Sequence, residues 1–412
     1  MEGESARRVV RRLAVPVYLP WAALSLGLGM LLPVLPLYLE HIDLSFTMLS
    51  VVLAASGVGA SLGGLPVGAL TQRMGENTVL VASLTTSAAV TAAIGATDLA
   101  IALMALRFVS GVALTGVRLS RQAFVARTVD IRYRGRAMSL LGGTSRLGFF
   151  VGPAVGGILI DSIGFTSTLV ACGVVMASGI LPIVVLGRES LDRSASGDWP
   201  TEPLLATLRP HWRRLLSAAI GPALIIAARR GRQIVLPLIA HDLGLSATVV
   251  GFIVAIGTGA DLLLFPVSGY LMDRYGRLFA IVPAFGLMGV GLLILGLVNT
   301  TTGVVVAGAI IGIGNGMSAG ALLTLGSDLA PPDIRAPFLA GFGSIHDLGG
   351  VVGPLIVGWS ADRIGLSASA VVLAVVLFAA IAHLVFVVGE TRNLTHPQES
   401  AETSPDVGHR DL

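Results

Sequence analysis

The chain has no lysine, a single cysteine and little charge of either sign. Only 12% of its 412 residues are charged, against about a quarter in a soluble domain. With 54% hydrophobic residues and a mean hydropathy of +0.85, that shortage excludes an ordinary water-soluble globule, since most of the surface has to face lipid. Cys172 stands alone, so an intrachain disulfide is excluded and no thiol set exists for zinc. All 27 basic residues are arginine, which reads as genomic base composition and not as chemistry. A sequence pI near 9.5 suggests a nucleic-acid partner, but the arginines fall in short runs between apolar segments and not on one polar domain, so no nucleic acid is expected. No metal-ligand cluster, P-loop or nucleophile-and-base constellation is found, so no metal, cofactor or enzymatic activity is expected.

What the chain does contain is long apolar runs. The first, from about Leu13 to Leu39, follows Arg7, Arg8, Arg11 and Arg12 in the manner of a signal peptide. It is longer than a 7–15-residue signal core and lacks a small-residue cleavage site, so it counts as a span. Twelve runs of about 20 residues are predicted to cross a bilayer, near 15–38, 47–70, 77–96, 99–122, 137–160, 166–187, 216–240, 247–271, 278–298, 303–327, 337–360 and 367–388. An even count puts both termini on one side. Arg73, the group at 132–136, the arginines of 188–214, Arg274, Arg277 and Arg335 fall on that side, which by the positive-inside rule is the cytoplasm; only Arg363 falls outside. The predicted organisation is therefore a bundle at 1–187, a polar cytoplasmic linker at 188–215, a bundle at 216–389 and a cytoplasmic tail at 390–412.

An ungapped offset of 201 residues relates the two bundles. It matches Leu35, Pro36 and Leu37 with Leu236, Pro237 and Leu238, and Leu44 and Ser45 with Leu245 and Ser246. It also matches Gly68, Arg73 and Gly75 with Gly269, Arg274 and Gly276, and Gly148, Gly152, Pro153 and Gly157 with Gly349, Gly353, Pro354 and Gly358. Asp161 and Gly164 match Asp362 and Gly365. Parallel repeats of six helices are a transporter architecture in which two bundles rock about a central site.

Over nearly its whole length the chain resembles the major facilitator superfamily, and within it the drug:proton antiporter and multidrug efflux branch. The segment from Gly269 through Asp273, Arg274 and Gly276 to Arg277 is a full copy of the family's signature loop, which helps to hold the inner gate closed. Its first-half counterpart, Gly68, Gln72, Arg73, Gly75 and Glu76, has glutamine where aspartate is usual, so a weaker lock is expected there. Gly148, Gly152, Pro153, Gly156 and Gly157 resemble a motif of proton-driven exporters; a proline that bends the helix and small residues four apart also suit plain close packing, as in the related Gly353 and Pro354 of span eleven. Arg107 and Gly111 resemble the family's span-four motif, whose arginine is associated with proton coupling. Arg107 lies 9 residues beyond Asp98, about 14 Å into the bilayer. Arg118 and Arg121 lie deeper still and are expected to snorkel to the inner interface.

Ionisable groups in the membrane interior need a cavity or a partner, because each costs about 2.5–3.5 kcal/mol on insertion scales. Besides Arg107 these are Arg146, the cluster Arg229, Arg230 and Arg232, Asp261, and Asp347 beside His346. The offset pairs Arg146 with Asp347, so the halves carry opposite charges at one position. By the family's span arrangement, Arg146 is expected to face Asp261 and Asp347 to reach the span-seven arginines. A carboxylate beside an arginine takes up and releases a proton as that partner leaves and returns. Asp261, Asp347, Arg107 and His346 are the proton-coupling candidates, with structural ion pairing as the competing reading. Arg146, Arg229, Arg230, Arg232, Tyr38 and Asn315 are the candidates for lining the substrate cavity, while Tyr18 and Trp21 serve equally well as interface anchors.

These features predict an all-α polytopic protein that moves a small molecule by alternating access and works as a monomer in the cell membrane; the resemblance and the buried carboxylates imply that protons power it, with sodium as the other candidate ion. Proton-coupled export of a drug-like or amphiphilic compound leads; proton-linked import of an organic anion, held by the arginines, is the alternative.

Overall fold

Within hydrocarbon a backbone N–H or C=O finds no water, so a lipid-exposed segment has to satisfy its own hydrogen bonds and becomes helical. The computed structural model describes residues 18–129, 131–186 and 207–391, and every regular element among them is a helix. In the first half these are α1 (Leu19–His41), α2 (Phe46–Met74), α3 (Glu76–Ile94), α4 (Ala100–Thr128), α5 (Ile131–Ser178) and the short α6 (Ile180–Leu186). The second half has α7 (Trp212–Asp242), α8 (Ala247–Tyr275), α9 (Arg277–Leu297), α10 (Thr301–Met317), α11 (Ala321–Leu329), α12 (Arg335–Ile364) and α13 (Leu366–His383). The predicted linker at 188–215 lies largely outside the described residues, as do the N-terminal arginines and the tail beyond Thr391.

Ten helical stretches are long and apolar enough to cross a membrane. One of them, Met138–Val185, has 48 residues, about 72 Å of helix against a hydrocarbon core of about 30 Å, and turns back at Gly164 (φ 79°), so it makes two crossings. α7 makes another, its 31 residues interrupted by Arg229, Arg230 and Arg232. The described residues therefore make twelve spans, in two bundles of six. The predicted span at 303–327 is broken: α10 stops at Met317, Gly320 adopts a left-handed φ of 80°, and α11 resumes at Ala321. The stretch Gly316 to Gly320, small apart from Met317, leaves the segment apolar enough to read as one helix yet offers little packing to keep it continuous.

Small residues set the helix contacts. Gly148, Gly152 and Gly156 lay the first part of α5 on α1, and a Cβ at Gly152 would stand 2.6 Å from the backbone of Gly29 and Met30. Gly349 and Gly353 lay α12 on α7 in the same way, with Pro153 and Pro354 inside the respective helices. Gly152→Ala is expected to lower stability by about 1–3 kcal/mol, since one helix has to move, and to depress Tm in detergent. Gly143→Ala, where a Cβ would meet nothing within 4 Å, should leave Tm unchanged or raise it.

The two bundles meet along α2 against α12 and α5 against α8. At one end each contact closes on a helix N-terminus. Asp161 accepts from the backbone N–H of Ala247 (3.3 Å) and Thr248 (2.8 Å) at the start of α8. Asp362 accepts from Phe46 (3.0 Å) and Thr47 (2.8 Å) at the start of α2. Beside them Gly157 touches the carbonyl of Ala247, and Gly358 that of Phe46. Glu40 and His241, themselves related by the offset, pair at 3.1 Å between the ends of α1 and α7. We call this the sealed face; the 74–76 and 275–277 loops lie on the other, open face.

Candidate functional site

Between the bundles lies a cavity of about 400 Å³, walled by α1, α2, α4 and α5 of the first half and α7 and α12 of the second. Leucines of α1 and α2, with Leu114, Phe149, Ile226 and Ile234, make most of the wall apolar. Arg107 enters it from α4 and Arg230 from α7, close enough to repel one another. Arg107 donates to Ser56 Oγ (2.8 Å) while its Nε is buried without a hydrogen-bond partner; Arg230 donates to Gln233 (3.4 Å). Nearer the open face, Asp347 lies 3.6 Å from Arg118 and 3.0 Å from His346 Nδ1. The side chains of Arg118 and Asp347 are 48% and 47% exposed, so this pair stands at the cavity mouth. Arg118 had no role in the sequence reading beyond snorkelling; it is instead the ion-pair partner of Asp347, which also acts electrostatically on Arg230.

The other intramembrane charges gather elsewhere. Arg146 of α5 lies 3.6 Å from Asp261 of α8 and over the ring of Phe265 at 4.1 Å. Arg229 donates to Ser318 Oγ (2.6 Å) in the break between α10 and α11, and Asp261 is the opposite charge felt by both Arg229 and Arg232. None of these four lines the cavity. Neither do Tyr38 and Asn315. Tyr38 is 3% exposed, its hydroxyl 3.1–3.2 Å from the carbonyls of Ile94 and Thr97 and from Asp98; the carbonyl of Asn315 accepts from Ser318. Arg121 stacks on Trp21 at 3.6 Å, and the Trp21 indole donates to the carbonyl of Leu141.

On the open face, Gly75 (φ 82°) and Gly276 (φ 105°) supply the left-handed backbone that joins α2 to α3 and α8 to α9 in one-residue turns. Gly68 is buried, whereas Gln72, Arg73 and Asp273 are exposed, and a Cβ at Gly269 would meet nothing within 4 Å. Arg274 stacks against Tyr270 and Tyr275. Arg277 pairs with Asp328 of α11 at 2.8 Å, and Glu390 caps α9 through the N–H groups of Arg277 and Leu278, both at 2.9 Å. The sequence reading missed Asp328 and Glu390. The latter was legible only as the first residue of a tail, since nothing local marks it as the cap of a helix more than a hundred residues away.

Comparison with known proteins agrees with this architecture. The Major Facilitator Superfamily family description matches twice, over residues 22–231 and 218–409, one match per half. A multidrug resistance protein MdtG of Proteus mirabilis is 25% identical over 380 residues, 88% of this chain and 93% of that protein. An uncharacterized MFS-type transporter of Methanocaldococcus jannaschii is 21% identical over 83% of this chain and 89% of its own length. Among solved structures, the nucleoside transporter NupG superposes with a TM-score of 0.75 at 14% identity, covering 90% of this chain and 99% of NupG. A bacterial homolog of the human lysosomal transporter Spinster, inward-facing and occupied, gives 0.71 at 16% identity over 92% and 97%. With twelve spans in duplicated halves, and both halves matched, the chain belongs to the major facilitator superfamily, a family of secondary transporters.

Proposed function

We propose that this protein is a proton-coupled antiporter that exports a small amphiphilic molecule by alternating access, rocking the bundle at 1–187 against that at 216–389. One observation carries the reading: a largely apolar cavity built by both halves, sealed at one face, holds at its opposite mouth an ion pair, Arg118 with Asp347, that a proton can break. The open face is assigned to the cytoplasm, because Arg73, Arg274, Arg277 and Arg335 lie there while, among the described residues, Arg363 is the one arginine at the sealed face. Asp347, with His346 at its side, is the primary proton carrier and Asp261, facing Arg146, the secondary one. Arg107 and Arg230 contact the solute. The signature loops bear on the opening and closing of the open face. One chain supplies both bundles and the cavity between them, which supports action as a monomer in the cell membrane. The similarity to proteins named for multidrug resistance supports export.

Import of an organic anion with a proton is the second reading. It is favoured by the cavity's charge, three arginines (Arg107, Arg118 and Arg230) against one carboxylate, Asp347. Inside-out vesicles separate the two. With the lumen acidified, export by antiport drives an amphiphilic fluorescent probe into the lumen, and collapse of the gradient stops it; the anion reading requires an organic anion to leave the lumen with protons. Movement of probes of either kind that is indifferent to the gradient defeats both.

A further inference from the structure

The charges outside the cavity form a group of their own. Asp261 stands at the midpoint of α8, about 21 Å from either end of the helix. It lies against the break in span ten, where a Cβ at Gly316 would come within 2.7 Å of its carbonyl oxygen. Ser268 donates to Ala319 in that break, and Ser318 donates to Asn315 while accepting from Arg229, so the irregular backbone is held in place by side chains. Arg146 pairs with Asp261 at 3.6 Å, and Arg229 and Arg232 lie within electrostatic reach of the same carboxylate, so three guanidiniums share one negative charge. Arg146 Nε and Asp261 Oδ1 face one another at 3.6 Å, whereas the Nε atoms of Arg229 and Arg232 are buried without a hydrogen-bond partner. Each guanidinium offers five N–H donors, of which Arg229 places one on Ser318 Oγ. Phe265 and Phe285 cover the flat faces of Arg146 and Arg229, which leaves their donor edges as the directions for bonding.

We propose that this group is a second binding site, for a small monovalent anion of the halide or compact carboxylate class, distinct from the central cavity. The anion balances charge and accepts from the guanidinium edges, and through Arg229 and Ser318 its occupancy bears on the break in span ten. The family similarity assigns no ligand here, and the transport reading places only a proton, on Asp261.

Chloride is the probe. The full-length protein, purified in detergent, is melted in mixtures of sodium chloride and sodium gluconate at constant ionic strength. Chloride should raise Tm saturably. The midpoint should rise roughly tenfold in Arg232→Gln, which removes a charge, and fall roughly threefold in Asp261→Asn, which removes the competing one. Ser318→Ala keeps every charge and should raise the midpoint about threefold, so the proposal stays testable if Arg232→Gln does not fold. Arg107→Gln, in the cavity, should leave the midpoint unmoved. An acetate titration that repeats the chloride result names the carboxylate class, and chloride alone names the halide. A Tm that does not distinguish chloride from gluconate overturns the proposal, as does a midpoint that follows Arg107→Gln and ignores Arg232→Gln and Asp261→Asn.

Discussion

Replacing Asp161 and Asp362 together with alanine should shift the balance between the sealed and unsealed forms roughly 30- to 1,000-fold towards the unsealed one. Each carboxylate accepts two backbone N–H groups that head a helix of the opposite half. Loss of such a cap costs about 1–2 kcal/mol. The two sites share no residue and lie on different flanks, so their effects should add to about 2–4 kcal/mol. Ser45 and Ser246 still cap α2 and α8 from within their own bundles, through Met48 and Val249, so the helices themselves should survive. The change is read as the rate at which a maleimide reacts with a Ser50→Cys variant. Ser50 is 1% exposed and packed beneath Gly358, and the natural Cys172 is buried and serves as background. Equal labelling rates with and without the two aspartates would sink the assignment of this face as a gate.

Asp347→Asn should abolish accumulation. A gradient of about two pH units stores roughly 2.7 kcal/mol per proton, enough to support about 100-fold accumulation when one proton moves per cycle. An amide cannot take up that proton, so in proteoliposomes the variant should equilibrate its solute at a ratio near one, while solute binding and counterflow exchange persist. Counterflow is the readout that matters, because it needs the cavity and both gates but no proton. A variant that still accumulates solute removes Asp347 from the coupling path; if the double variant with Asp261→Asn does so as well, carboxylate coupling fails altogether. Loss of counterflow along with accumulation would instead make the Arg118–Asp347 pair part of the gate.

The spans were legible because apolar length is a direct physical requirement of the bilayer, and the duplicated halves because the offset was free of gaps. Position along a helix could also be read: Arg146 and Asp261 were expected to face one another, and they lie 3.6 Å apart. What one sequence did not reveal was the choice among partners at similar depth. Asp347 was expected to reach the span-seven arginines; Arg230 is near it, but its ion pair is with Arg118 of α4, in the other half. That choice depends on how the bundles are tilted in this state, and tilt is not encoded in any local pattern. Tyr38 sits on a cavity-lining span yet turns towards Asp98, because a buried hydroxyl needs an acceptor and α3 ends and α4 begins beside it. The break in span ten escaped notice because small apolar residues satisfy a hydropathy criterion whether or not the helix is continuous.

The seal at Asp161 and Asp362 has the form of an isologous interface: one patch on each half meets its counterpart on the other, so a single kind of contact is made twice. Two free copies of a six-helix unit joined this way would need a strong interface to stay together, and a strong interface would not open. Tethering the halves in one chain replaces their bulk concentration with a fixed local one. The contact can then be as slight as four backbone N–H groups and one Glu40–His241 pair and still re-form at every turnover, because dissociation has ceased to be one of its outcomes.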